Sequence, residues 1–416
     1  MKKTVSRLAL VAGASVLATS AIAADLGGNC CADLEERIAE LEATTARKGN
    51  RVMSLTVYGQ VNRAILWHND ETSRVPHMSF RDNDGRSGTR FGFRGSSKLN
   101  EDITVRFLLE LAVNDDAVSN LSQSAIRQSV VAVRSARLGE IALGRTSTAT
   151  DGLAEIALGS YYTPFGTEEA SQVSNVALAV GNYIDSIDGA RRQGIHYVSP
   201  TMMGFSFAAS YFHNANANEF DDNDRDGWDV ALRYAGEFNG VRVAAGIGYR
   251  EVETNTINST TGVVTRNPDE QTLIFAGSVL HVPSGLFFNG GYARVWDGSR
   301  VDVPIAANTA VGLGPSTFAI VDYDAWNVGA GIVRTFHPIG ATTLAADFGK
   351  VHIDGGAEPF YYGIGMVQNI DATATDVYMS WRRYDLDGVS VTGSVPTGPA
   401  LEDTADVFTM GMRVRF

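Results

Sequence analysis

The sequence predicts an all-β chain, a 16-stranded antiparallel transmembrane β-barrel preceded by a short N-terminal helical leader. Three observations carry that prediction. From residue 53 onward, segments of about ten residues alternate apolar and polar side chains, the period of a strand with two unlike faces. The connections between them alternate short and long to the end of the chain. The last segment has the cleanest alternation of all and ends on an aromatic residue, Phe416. Lipid offers no hydrogen bonds, so a spanning sheet must close on itself, apolar outside and polar within.

Composition excludes several other classes. The chain has 416 residues, 44% hydrophobic and 19% charged, with 43 Gly against 11 Pro, which is neither a disordered nor a collagen-like profile. Its formal charge of −13 leaves no excess of Lys and Arg to neutralise phosphates, so no nucleic-acid partner is implied. Two cysteines exclude a disulfide scaffold. After the N-terminus, no stretch is long and apolar enough for a membrane-spanning helix.

Residues 1–23 read as a secretory signal peptide. Lys2, Lys3 and Arg7 precede a mostly apolar run from Leu8 to Ile22, and Ala21-Ile22-Ala23 forms an A-x-A cleavage site. Residues 24–52 read as a periplasmic leader. Within it, Leu34, Ile38 and Leu41 fall at heptad-like spacing among charged residues, with Asp33 placed to cap the helix and Gly49 to end it. So short a helix either frays or associates between subunits as a coiled coil. Cys30 and Cys31 are adjacent and lack further ligands for a metal; they are an exposed pair or a link between subunits.

The barrel occupies residues 53–416. In the first strand Leu55, Val57, Val61, Ile65 and Trp67 share a face, and Thr56, Tyr58, Gln60 and Asn62 share the other. The same contrast separates Ile103, Val105, Phe107, Leu109 and Leu111 from Thr104, Arg106 and Glu110, and Phe408, Met410, Met412, Val414 and Phe416 from Arg413 and Arg415. Short turns fall near 98–102, 136–140, 200–204, 237–240, 283–285, 338–340 and 385–388. Long loops fall near 68–86, 114–124, 148–188, 213–226, 254–269, 298–322, 355–373 and 394–405. Seven turns and eight loops join sixteen strands, with both chain ends on the short-turn, periplasmic side. Tyr58, Trp67, Tyr211, Trp228, Tyr234, Tyr249, Trp326 and Trp381 stand near segment ends, as interfacial girdles require. Arg63 breaks the rule by falling on the apolar face, where lipid exposure costs roughly 2–4 kcal/mol at mid-bilayer. Either a bulge re-aims it or this strand faces another subunit.

At this point the chain resembles the general Gram-negative porins. Tyr58-Gly59-Gln60-Val61 resembles their first strand. Gly88-Thr89-Arg90-Phe91-Gly92-Phe93-Arg94-Gly95, followed by Leu99-Asn100-Glu101-Asp102, resembles the second strand and its turn. Leu143-Gly144-Arg145 resembles the approach to the third loop, Tyr197-Val198-Ser199-Pro200 the end of the sixth strand, and Phe416 the family's assembly signal. The leader preceding the first strand is similar to that of an alphaproteobacterial subgroup. The resemblance implies a homotrimer in the outer membrane, among lipid and lipopolysaccharide, passing ions and small hydrophilic solutes without a cofactor.

It also implies a constriction, in which acids on an inward-folded third loop face a basic wall. Here that loop is about 148–188 and carries Asp151, Glu155, Glu168 and Glu169, with Asp185 and Asp188 at its end. Tyr161-Tyr162-Thr163-Pro164-Phe165-Gly166 resembles the family's loop tip but lacks the acid between Pro and Phe. Arg90 and Arg127 match the family's basic wall residues, and Arg191 or Arg192 sits where the sixth strand begins. Alternation independently turns Arg90 and Arg94 inward, opposite Phe91 and Phe93. Gln60 stands where many members have Lys. Acidic outer loops favour cations and a basic narrowing opposes them; the balance predicts weak cation preference.

Rival readings are weaker. Seven scattered His form no H-E-x-x-H pattern, and no G-x-S-x-G frame accompanies them, so the expectation is not an enzyme. Asp222, Asp224 and Asp226 match the opening of a calcium loop, but Arg233 replaces the closing Glu. An adhesive surface protein would show repeats or a plug domain. A substrate-specific outer-membrane channel is the nearest alternative to a general pore.

Overall fold

In the computed structural model, chain contacts separate Met1–Arg51 from Val52–Phe416. The structure describes residues 53–69, 77–82, 87–113, 126–159, 187–213, 226–253, 255–257, 264–266, 269–300, 319–354, 358–385 and 404–416. The signal peptide, the leader helix, Cys30 and Cys31 lie outside those residues.

The described chain is almost wholly strand. The elements are β1 Thr56–His68, β2 Met78–Asp82, β3 Arg90–Lys98, β4 Ile103–Ala112, β5 Ile126–Ser135, β6 Gly139–Ser147, β7 Arg191–Val198, β8 Phe205–Phe212, β9 Gly227–Phe238 and β10 Val241–Val252. They continue as β11 Asn255–Ile257, β12 Val264–Arg266, β13 Glu270–His281, β14 Leu286–Arg300, β15 Ala319–His337, β16 Gly340–Ile353, β17 Phe360–Ile370, β18 Thr375–Asp385 and β19 Thr404–Arg415. β11 and β12 pair only with each other, within the connection between β10 and β13. All other strands join one antiparallel sheet. β2 and β3 pair successively with the upper and lower parts of β1, so they are one interrupted stave, and the sheet has sixteen staves. β1 also pairs with β19 from Gln60↔Arg415 to His68↔Val407, which closes the barrel and leaves no edge. Reciprocal backbone bonds of 3.0 Å between Gly59 and Phe416 seal the seam at its lower end.

Register confirms the predicted faces. On β1, Gln60, Asn62, Ala64, Leu66 and His68 are buried, whereas Val57, Val61 and Trp67 are exposed. On β19, Phe408, Met410, Met412, Val414 and Phe416 are exposed. Trp67, Tyr211, Trp228, Tyr249, Trp326 and Trp381 stand outward towards the long-loop end; Tyr234, at the opposite end, packs on Phe205 at 4.7 Å. Tyr58 departs from the expected girdle. It shares the inward face with Gln60, and its hydroxyl donates to Glu110 at 2.9 Å.

One stretch of the predicted strand map is corrected. Residues 360–370, assigned to a long loop, form β17, and the turn after them is Asp371–Ala374 rather than Asp385–Gly388. The connection that follows β18 is the long one. The sequence FYYGIGMVQNI lacks charge on either face, so its alternation is faint. Its turn lacks Gly and Pro; Ala374 takes the left-handed conformation instead, at φ 48°. The two shifts cancel, and the stave count stands.

Candidate functional site

An arginine arc lines the lumen on β3, β5, β7 and β19. Arg90 opens β3 opposite Gln60, and Arg94 stands opposite Thr56, so both share the inward face. Between them in register, Gly92 faces Glu110 of β4. Glu110 is 6% exposed and holds the group together. It accepts from Tyr58 Oη at 2.9 Å and from Arg127 Nε at 3.0 Å, with Arg90 Nε at 3.7 Å. Arg94 places its guanidinium 5.3 Å from the centre of the Tyr58 ring. Arg127 reaches Glu110 because the β4–β5 register shifts beside it. Glu110 pairs with Gln128 and Leu111 with Ile126, which makes Arg127 the extra residue of a bulge.

The arc extends further than the sequence suggested. Arg90 lies within electrostatic reach of Arg127, Arg191 and Arg413. Arg191 pairs with Ser147 and Arg192 with Thr146, across β6 and β7. On β19, Arg413 and Arg415 donate to the two oxygens of Asp376 at 2.6 and 2.9 Å, and Arg413 also reaches Ser87 Oγ at 2.7 Å. Alternation turns Arg413 and Arg415 inward, but only barrel closure brings them beside Arg90. Glu110 and Asp376 were not predicted as site residues. The available signal was a single inward acid on a strand whose neighbours carry inward arginines.

The other side of the lumen is occupied by the start of the long third connection. Residues 148–159 run along the inner wall from β8 to β16. At the root, Ala149 N donates to Ser210 Oγ at 2.7 Å and to Asp229 Oδ1 at 3.0 Å. Thr150 donates to Asp229 Oδ2 from its backbone N at 2.9 Å and its hydroxyl at 2.7 Å. Leu153, fully buried, lies over Gly246 and Gly248 of β10, where a Cβ would meet its methyls at 2.5 and 2.6 Å. Further on, Leu158 N donates to Ser278 Oγ at 2.9 Å, and Thr343 Oγ1 donates to the Gly159 carbonyl at 2.9 Å. The returning end is tied in as well. Thr148 N donates to the Ala190 carbonyl at 3.1 Å, and Ala154 N donates to Asp188 Oδ2 at 3.0 Å.

The predicted loop acids divide. Glu155 is exposed. Asp151 is half-buried, and Arg233 Nη2 donates to its backbone carbonyl at 3.0 Å. Burial pushes the Asp151 carboxyl above the usual carboxylate range, opposed by a hydrogen bond from Ser147 and by the charges of Arg191 and Arg233. Arg191 is therefore the point where arc and loop approach each other. Glu168 and Glu169 lie outside the described residues, as do Asp222 and Asp224. Asp226 pairs with His213 Nδ1, and among the described residues no three His, Cys, Asp or Glu gather as a metal site.

A closed sixteen-stave barrel with an apolar exterior, a charged lumen and one connection packed against its inner wall is an outer-membrane channel. The chain belongs to the Gram-negative porin family, whose model matches residues 8–389. Its fold is similar to that of an anion-selective porin from Comamonas acidovorans, with a TM-score of 0.55 and 16% identity over 88% of this chain and 100% of that one. OmpT of Vibrio cholerae in a trimer form gives 0.54 and 17%, covering 88% and 100%. Salmonella typhi OmpF in complex with daunomycin gives 0.53 and 17%, covering 88% and 98%. No curated protein sequence matches.

Proposed function

We propose that the protein forms a water-filled pore through which ions and small hydrophilic solutes diffuse passively, that it acts as a homotrimer without cofactor or catalytic step, and that its lumen narrows between the arginine arc and the segment 148–159. The observation that carries this reading is the path of that segment. It is bonded along the inner wall from Asp229 on β9 to Thr343 on β16, across the barrel from Arg90 and Arg127. A solute passing between would meet fixed positive charge on one side and Asp151 and Glu155 on the other. Low-dielectric walls strengthen such a field, which orients dipolar solutes and sets ion preference. A trimer form of one structural relative supports the oligomeric state.

The alternative, a substrate-specific channel, draws on a different observation. Inward residues at the long-loop ends of β14–β19, among them Val295, Tyr323, Val351, Ile353, Tyr384 and Val407, are apolar and buried. A general pore would show polar side chains there. Single-channel recording in planar bilayers separates the two. Stable conductance steps in threes, unaffected by micromolar solutes, support the general pore; block by one solute class at low concentration supports the specific channel.

A further inference from the structure

Below Glu110, towards the short turns, the lumen wall changes character. Register places Arg94 and Lys98 of β3, Arg106 of β4, Arg134 of β5 and Glu140 of β6 on the inward face there. Four cations share one acid. Arg106 engages it, its Nε donating to Glu140 Oε2 at 2.7 Å. Arg94 stands four residues beyond Arg90 on the same face of β3. At about 3.3 Å per residue and a strand tilt of about 40°, that sets it roughly 10 Å below the arc.

Arg94 differs from the arginines of the arc in how it is held. Arg127, Arg413 and Arg415 donate to Glu110 or Asp376. Among the described residues, Arg94 forms no ion pair and donates no hydrogen bond. The Tyr58 ring steadies it instead, 5.3 Å from guanidinium to ring centre. A cation over an aromatic face keeps its five N–H donors. Arg94 lines a pocket of about 460 Å³ with Ser54, Thr56, Tyr58, Ser96 and Arg106. Thr56 stands directly opposite Arg94 across β1 and β3, and its hydroxyl has no partner among the described residues. The Ser96 hydroxyl has only a 3.4 Å contact with Ser54 Oγ. An open guanidinium fork, two hydroxyls and surplus positive charge are the donor set of an oxyanion site.

We infer that this pocket binds phosphate-bearing solutes, as a station between the arginine arc and the short-turn mouth. The arc arginines, clamped by acids, supply a field; Arg94, with its donors open, retains the anion. Phosphate suits the pocket better than carboxylate, because its oxygens can accept from the guanidinium fork and from both hydroxyls at once. The inference rests on the pore proposed above and deepens it by naming a solute class.

The test uses inorganic phosphate on the full-length protein, with acetate as the comparison anion. In planar bilayers, millimolar phosphate lowers the chloride current of wild type, and acetate at the same concentration lowers it less. Arg94→Gln weakens the phosphate effect by about tenfold or more, the loss expected for charge-assisted hydrogen bonds, and Thr56→Ala weakens it by a smaller factor. Independently of conductance, the ³¹P resonance of phosphate broadens in the presence of wild type in detergent and stays narrow with folded Arg94→Gln. A conducting Arg94→Gln variant that phosphate blocks as strongly as wild type overturns the site, and so does a wild type that leaves the ³¹P line narrow. A barrel that carries no current but broadens the ³¹P line through Arg94 upholds the site and overturns the open pore.

Discussion

On the arc side of the lumen, Glu110 and Asp376 serve arginines. On the loop side, Asp229 and Asp188 serve backbone N–H groups. Both sets are buried carboxylates on or beside inward faces, yet they do different work. Glu110 and Asp376 hold cationic side chains at fixed places, so their loss changes the charge of the lumen. Asp229 holds a chain segment in place, so its loss changes the width of the lumen. The comparison separates electrostatics from sterics in one pore, and each side offers a way to break it.

The largest effect belongs to Asp229→Ala. It removes the acceptor of three hydrogen bonds at the root of the inward segment; the Thr150 N–H and hydroxyl must find new partners, while the Ala149 N–H keeps only Ser210 Oγ. Buried losses of this kind cost roughly 2–4 kcal/mol in total. Unfolding in urea should shift accordingly, and single-channel conductance should rise as the segment leaves the wall. Unchanged conductance with lowered stability would mean that the segment does not set the pore width.

Glu110→Gln acts on the other wall and more mildly. It deletes one negative charge among Arg90, Arg127 and Tyr58 while keeping hydrogen-bonding capacity. The reversal potential in a salt gradient should move toward anions, with conductance at high salt little changed, because salt screens the difference.

The smallest expected effect is that of pH. Asp151 keeps its proton to a higher pH than a free carboxyl does, because it is buried. A carboxyl raised on folding stabilises the folded loop at low pH, and that stabilisation is lost as pH rises through the raised value. Acidification from neutral pH should therefore neutralise Asp151 before ordinary surface carboxyls and shift selectivity toward anions in a first, early step. Asp151→Asn should lack that step, and its presence in the variant would assign it to another group.

Much of the fold was legible because a barrel repeats one rule sixteen times. Alternation, loop-length asymmetry and the terminal strand each report the same lipid boundary. The rule faded at β17, where glycine and uncharged residues fill both faces and the turn is made by Ala374 rather than by Gly or Pro. The arc was legible in part. Arg90 and Arg94 follow from alternation alone, but Arg127 reaches Glu110 only through a bulge, which no period reveals. Barrel closure brings Arg413 beside Arg90 from the far end of the chain. Alternation with Trp228 and Val230 turns Asp229 inward, yet nothing in its neighbourhood in sequence says that a loop 79 residues earlier would fold onto it.

The most direct test of the account is the reversal potential of the Arg90→Ser/Arg127→Ser double variant against wild type, measured across a bilayer under a tenfold salt gradient. A constriction set by the arginine arc predicts a clear shift toward cation preference, largest at low ionic strength. A correctly folded variant with the wild-type reversal potential would contradict it, and would move the selectivity of this pore away from the arc.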